Sequence, residues 1–417
     1  MSIFKINGGV QLRGEVKISG AKNEALKLIA FAVLLKKPVC IRNIPQIVDI
    51  ERQLEIFKCL GGKVKNIESG IELDARSIEK FDISKSTANK LRASLVYLGP
   101  LLSRFSQAVI LQPGGCQIGE RPIETHIDAF RQLGATITEN KEKIILKLDE
   151  PKHNKVILCE QSVTATENIA MYAAAQEKEI IIENCATEPE ISALLNEMVK
   201  SGACISGIGT RTLKILGSKD LNLDSADVIV DRIEAATFAI AFAATGGEGT
   251  VTPFPSENLQ SFVDVLKKCN VKIEISGNSA KVLKSEDLKP FSISTLPYPG
   301  FPTDLQSPMS LLASRAKGVS HIEETMYENR LGYLKELQKM GLNVEFHGLH
   351  RADVAGPVHL RSTTIHSLDL RSGITLLIAG LMADGETTIE DAQIIDRGYE
   401  NIEDKLARLG AKIKRIS

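Results

Sequence analysis

The chain has 417 residues, with 51 Lys and Arg against 52 Asp and Glu, a formal net charge of -1 and 43% hydrophobic residues. At roughly 150 residues per domain the length predicts two to three folded domains, and the composition excludes a disordered chain. The balanced charge excludes a generally basic nucleic-acid binder, and 5% aromatics without Trp disfavour base-stacking platforms.

No apolar run reaches the roughly 18–20 residues that span a bilayer, and Met1–Lys5 lacks signal-peptide architecture. A cytoplasmic protein with neither nucleic-acid nor membrane partners is expected. Seven cysteines (Cys40, Cys59, Cys116, Cys159, Cys185, Cys204 and Cys269) are scattered without zinc or dithiol spacing. All except Cys116 stand in apolar contexts and are expected to be buried thiols.

In chain order, a helix is expected over Glu24–Leu35, then a short strand at Val39–Ile41. A second helix ends at Leu60-Gly61-Gly62-Lys63-Val64, where β-branched sequence begins. That junction returns at Leu133-Gly134-Ala135, Ser201-Gly202-Ala203, Cys269-Asn270-Val271, Met340-Gly341-Leu342 and Leu409-Gly410-Ala411. Its Gly or Asn positions lie 73, 68, 68, 71 and 69 residues apart, so six units of about 70 residues fill the chain. Each junction reads as a helix stopped by a left-handed residue, which Gly or Asn tolerates. Further strands are expected at Ile144–Leu146, Ile180–Ile182, Thr212–Ile215 and Thr387–Ile389, and further helices at Ile233–Ala244 and Gly373–Met382. Helices alternating with strands predict an α/β fold. Six units exceed one ordinary core, so a three-plus-three division is expected, with a connector at Leu221–Ser225.

Cations collect where helices should begin: Lys22, Arg92, Arg232 and Arg371, joined by Arg121 and Arg397 thirteen residues before a junction. A cation there opposes the helix dipole. Either the side chains bend into solvent, or several units aim helix starts at one cleft that binds a multiply anionic substrate. Asp304 and Asp369 stand at equivalent places and read as N-caps or as site carboxylates. Glu188, beside Pro189, reads as a first-turn acid. The stretch Gln112-Pro113-Gly114-Gly115-Cys116-Gln117-Ile118-Gly119-Glu120-Arg121-Pro122 reads as a turned loop. It would present Cys116 as an accessible thiol whose pKa nearby cations lower.

These motifs resemble the UDP-N-acetylglucosamine 1-carboxyvinyltransferase family of enolpyruvyl transferases from end to end. The resemblance rests on Ile18-Ser19-Gly20-Ala21-Lys22-Asn23, the Pro113–Pro122 loop, Asp231-Arg232-Ile233-Glu234, Phe301-Pro302-Thr303-Asp304, Glu328-Asn329-Arg330 and Asp396-Arg397-Gly398-Tyr399-Glu400. It implies two inside-out α/β barrels, each of three βαβαββ-type units. Their expected bounds are 22–229 for the first, and 1–21 with 230–417 for the second, with the active site in the cleft between them. It implies transfer of the enolpyruvyl group of phosphoenolpyruvate to the 3′-hydroxyl of UDP-N-acetylglucosamine, the opening step of peptidoglycan synthesis, with no cofactor and no metal.

By the same resemblance, Cys116 is the general acid, the residue that fosfomycin alkylates, and Asp304 accepts the hydroxyl proton. Lys22, Arg121 and Arg397 hold phosphoenolpyruvate, with Asn23 and Arg92 at substrate groups. Arg121, Pro122, Ile123, Glu124 and Thr125 line the nucleotide, with Ser162 and Val163 near its diphosphate and Met326 by the sugar. Asp369, Arg371, Arg232 and Glu188 support the centre. The chain departs from the family's commonest pattern at Glu124, Glu160 and Thr164, which touches the nucleotide contacts and not the reaction. Two other readings stay open. One is the sibling transferase that uses shikimate 3-phosphate, which lacks the Pro-Gly-Gly-Cys loop. The other is an inactive nucleotide-sugar-binding paralogue.

Overall fold

The structure is a computed structural model that describes residues 2–84, 92–111, 123–140 and 142–416, and of 92 and 93 the backbone alone. It divides into two compact units, and the chain passes between them at Ser19–Gly20 and again at Ile229–Val230. The N-terminal unit holds helices α1 (Lys22–Phe31), α2 (Val48–Cys59), α3 (Leu98–Phe105), α4 (Glu124–Gln132), α5 (Val163–Ala174) and α6 (Pro189–Lys200). The C-terminal unit holds α7 (Arg232–Ala244), α8 (Gln260–Lys268), α9 (Thr303–Ala313), α10 (Tyr333–Lys339), α11 (Leu370–Met382) and α12 (Ile402–Arg408).

The two helices of each repeat differ in kind. Every residue of α7 is buried, as are Leu305–Ala313 of α9 and Arg371–Leu381 of α11. These helices pack on one another at the centre of their unit. Beyond their first turns they are apolar or small-residue on all sides, which suits only a fully enclosed position. By contrast α8 buries a stripe of Phe262, Val263 and Leu266, and α12 buries only Ile402 and Leu406. In the N-terminal unit α1 and α5 are the enclosed kind. Each unit has its own apolar core.

Around these helices the strands among the described residues form six small sheets, three per unit. Their burial alternates along the chain, as in Ile180–Glu183, so one face meets the helices and the other faces outward. Helices inside and sheets outside is the inside-out arrangement. In the third repeat Lys155–Ile157 lies parallel to Ile180–Glu183, and the closing hairpin of Cys204–Ser206 and Thr212–Leu216 continues the sheet antiparallel. Ser225–Asp227 supplies that parallel strand beside Val39–Arg42. The stretch read as a connector is therefore no free linker, since Leu221, Leu223, Ala226 and Val228 are buried in the N-terminal unit. At the chain's start, Ile3–Asn7 lies between Glu386–Glu390 and Lys412–Ile416, closing the sixth sheet.

All six junction residues adopt positive φ: Gly61, Gly134, Gly202, Asn270, Gly341 and Gly410, between 66° and 120°. The next residue donates its N–H five positions back each time, as Ala203 does to Met198 and Ala411 to Leu406, which closes each helix with a Schellman-type turn. The expected burial of cysteines is corrected. Cys185 and Cys269 are buried, Cys40 and Cys59 half-buried, and Cys159 and Cys204 exposed. Cys204 points outward from an edge strand, and Cys159 follows the short strand Lys155–Ile157.

Candidate active site

Lys22 is the first residue of α1, capped only by the backbone of Ala21. Its ammonium meets Asp49 Oδ2 of α2 at 2.6 Å, and the side chain is 13% exposed. A cation that opposes its own helix start is thus offset by an acid from the next helix, not by solvent. Asn23 follows, and its carbonyl accepts Lys27 Nζ at 2.8 Å.

In the same unit, two segments read as nucleotide contacts are tied together. Thr125 Oγ1 donates to Glu160 Oε1 at 2.9 Å and lies 3.2 Å from Cys159 Sγ. Ser162 caps α5, accepting Ala165 N–H, and Val163 is the first helical residue. His126 is buried between Thr164 Oγ1 and Asn168 Nδ2, a structural role. Ile123 immediately precedes α4, and Glu124, its first residue, is exposed. Glu188 occupies the N-cap position of α6 without capping it through its side chain.

The C-terminal unit gathers the densest charge. Asp304 Oδ1 accepts Arg330 at 2.7 Å, and Oδ2 accepts Arg371 at 2.8 Å. Asp304 is no N-cap: it is the second residue of α9, after the capping position of Pro302. Burial alone would raise its carboxyl pKa, but Arg371 and then Arg330 outweigh that and hold it far below the usual carboxylate range. Arg371 also donates to the Tyr399 hydroxyl at 3.0 Å, and its own pKa is driven upward, burial being overcome by Asp304. Asp369 is an N-cap, closing a capping box with Ser372 at the start of α11. Arg232 begins α7 after the Asp231 cap, with its guanidinium 5.7 Å from the Tyr298 ring. The buried Glu324 takes Thr303 Oγ1 at 2.7 Å and Met326 N–H at 2.9 Å, fixing both the start of α9 and Met326.

Arg397 departs from its expected place. It ends the 3-10 turn Ala392–Arg397 and does not start a helix; α12 begins at Ile402. Cys116, Arg121, Pro122 and the Arg92 side chain lie outside the described residues. Sequence reasoning missed Asp49, Glu324 and Tyr399, and gave Arg330 no role. Asp49 stands in the first turn of α2, and nothing local marks the other three, whose partners lie some twenty or more residues away in the chain or, for Tyr399 and Thr237, in another repeat.

Residues 6–406 match the family described as EPSP synthase (3-phosphoshikimate 1-carboxyvinyltransferase). A UDP-N-acetylglucosamine 1-carboxyvinyltransferase of Desulforapulum autotrophicum is 40% identical over 416 residues, with 100% of each chain covered. One from Koribacter versatilis is 41% identical, covering 100% of this chain and 97% of that protein. The chain belongs to the enolpyruvyl transferase family. Among solved structures, the enolpyruvyl transferase NikO of Streptomyces tendae is similar with a TM-score of 0.90 at 23% identity, covering 100% of this chain and 99% of that one. EPSP synthase of Acinetobacter baumannii gives 0.75 at 17% identity, with both chains fully covered. These two likenesses bear on the fold, which is that of an enolpyruvyl transferase.

Proposed function

We infer that this enolpyruvyl transferase moves the enolpyruvyl group of phosphoenolpyruvate to the 3′-hydroxyl of UDP-N-acetylglucosamine and releases phosphate, for peptidoglycan synthesis in the cytoplasm. The observation that carries the reading is the identity of about 40% over the whole length of proteins bearing that activity in their names. It separates this acceptor from shikimate 3-phosphate.

In this reading Lys22, Asn23, Arg121 and Arg397 hold the phosphate and carboxylate of phosphoenolpyruvate, and Arg92 reaches the nucleotide sugar. The Cys116 thiol gives its proton to the methylene carbon, the sugar oxygen bonds to C2, and Asp304 takes the hydroxyl proton. Return of a methyl proton to the Cys116 thiolate and cleavage of the C2–O bond, whose electron pair leaves with phosphate, then restore the double bond. Asp304, held by Arg330 and Arg371, is a weak base, suited to a hydroxyl that loses its proton only as C2 becomes electron-poor. The two guanidinium groups fix that carboxylate before substrate arrives, so little reorganisation is needed during reaction. Ile123, Glu124, Thr125, Ser162, Val163 and Met326 form the nucleotide-sugar contacts, with Pro122 and Arg121 beside them. Asp369, Arg371, Arg232 and Glu188 support the centre.

The test is phosphate release from phosphoenolpyruvate with UDP-N-acetylglucosamine, with shikimate 3-phosphate, and with neither. Turnover is expected with the nucleotide sugar alone, and abolished in Cys116→Ala together with labelling by fosfomycin. Turnover with shikimate 3-phosphate, or a fully active Cys116→Ala enzyme, would overturn it.

A further inference from the structure

A shift of 210 residues relates Ser19 to Ile229, Lys22 to Arg232 and Glu24 to Glu234. The hydrogen bonds obey the same shift. In the N-terminal unit, Ala21 N–H donates to Ile229 O at 2.7 Å, and Ile229 N–H donates to Glu24 Oε2 at 2.6 Å. In the C-terminal unit, Asp231 N–H donates to Ser19 O at 3.0 Å, and Ser19 N–H donates to Glu234 Oε2 at 2.8 Å. Glu24 and Glu234 are each the third residue of an enclosed helix, and both are buried. Each clamps its helix start to the chain end where the polypeptide leaves that unit.

The two clamps differ in charge. Glu234 Oε1 is ion-paired to Lys405 at 2.6 Å, and Lys405 also donates to Ser19 Oγ. Lys405 stands five residues before junction Gly410. Five residues before junction Gly202 stands Glu197, also buried, on α6, which packs on α1. Where one clamp is ion-paired to a cation, the equivalent position of the other carries an acid. Glu197 Oε1 accepts Lys200 at 2.7 Å, while its buried Oε2 has no hydrogen-bond partner.

We propose that Glu24 is a positioning residue for Lys22 and Asn23, acting through the Ile229 N–H, and that Glu197 makes this clamp depend on a proton. The proposal rests on the reading that Lys22 and Asn23 hold phosphoenolpyruvate. Burial, with Glu197 and Glu190 of α6 adding to it and the Ile229 N–H and Lys200 opposing, pushes the Glu24 carboxyl up to about 8. Of the other charged groups in the surrounding helices, Lys27 of α1 and Glu167 of α5 pair with each other at 3.2 Å, and on α2, which packs on α1, Asp49 pairs with Lys22 at 2.6 Å and lies 3.8 Å from Arg52. Protonated, Glu24 sits beside Glu197 without repulsion and still accepts the N–H. Ionised, it places a second negative charge in the same buried space and displaces the first turn of α1.

The experiment is phosphate release by the full-length enzyme at saturating UDP-N-acetylglucosamine with varied phosphoenolpyruvate, at pH 7 and pH 9. The ratio of the two KM values is compared among wild type, Glu24→Gln and Glu197→Lys, so that titration of the substrate itself cancels. Wild type should show a ratio about fivefold greater than either variant, because Gln mimics the protonated acid and Lys rebuilds the ion pair of the other unit. Equal ratios in a folded variant overturn the proposal. Lys22→Ala is measured alongside. If its KM for phosphoenolpyruvate is unchanged, the reading of Lys22 fails, and with it what Glu24 positions. If that KM rises and the ratios remain equal, the Glu24 assignment alone fails.

Discussion

Asp304 shows how far a residue's neighbours set its chemistry. An isolated aspartate at a helix start would cap or solvate, but here two guanidinium groups take both oxygens. Its folded pKa is depressed far below that of an ordinary aspartate by the two guanidinium groups, Arg371 first. The stability it contributes is therefore present above about pH 4 and is lost as pH falls toward the depressed value. Arg330→Leu should lower kcat by about 100-fold, because Asp304 loses half its alignment. The same change should raise the acid limb of the kcat–pH profile toward the ordinary carboxylate range, since one of two charges favouring ionisation is gone. A pH profile between about 2.5 and 8 reads both effects, and an unmoved acid limb would contradict the role given to this pair.

At the scale of elements, the junction residue is the recurring device. A Cβ at Gly410 would meet nothing within 4 Å, yet its φ is +97°. Gly410→Ala therefore isolates the backbone term and should lower stability by about 1–2 kcal/mol in urea unfolding. Gly134→Ala carries the same strain and adds contact with the Lys152 side chain, 2.8 Å from the added carbon, so its cost should be larger. Equal midpoints for wild type and Gly410→Ala would show that this turn does not hold its φ. Much of this level was legible in the sequence, because a left-handed stop followed by β-branched residues is a local pattern. The fate of Leu221–Ser225 was not, because pairing with Val39–Arg42, some 185 residues away, decides it.

For the whole molecule, strand Ile3–Asn7 closes the sixth sheet, with Phe4 and Ile6 fully buried and the Arg415 guanidinium 4.3 Å from the Phe4 ring centroid. Each buried side chain contributes about 2 kcal/mol by area alone, before the lost ladder is counted. Deleting residues 1–8 should unfold the C-terminal unit or lower its melting temperature by roughly 10 °C or more, and an unchanged thermal scan would refute this. By itself the sequence determined the six-fold repeat, the α/β class, the αL stops and the cations Lys22, Arg232 and Arg371 at helix starts, because each of these is written within a dozen neighbouring residues. It also carried the family's motifs. Only the tertiary structure decided which acid each cation meets: Asp49 for Lys22, Asp304 for Arg371 and Arg330. Those partners come from separate elements of the fold, and a Coulomb interaction falls off with distance in space, not with separation along the chain.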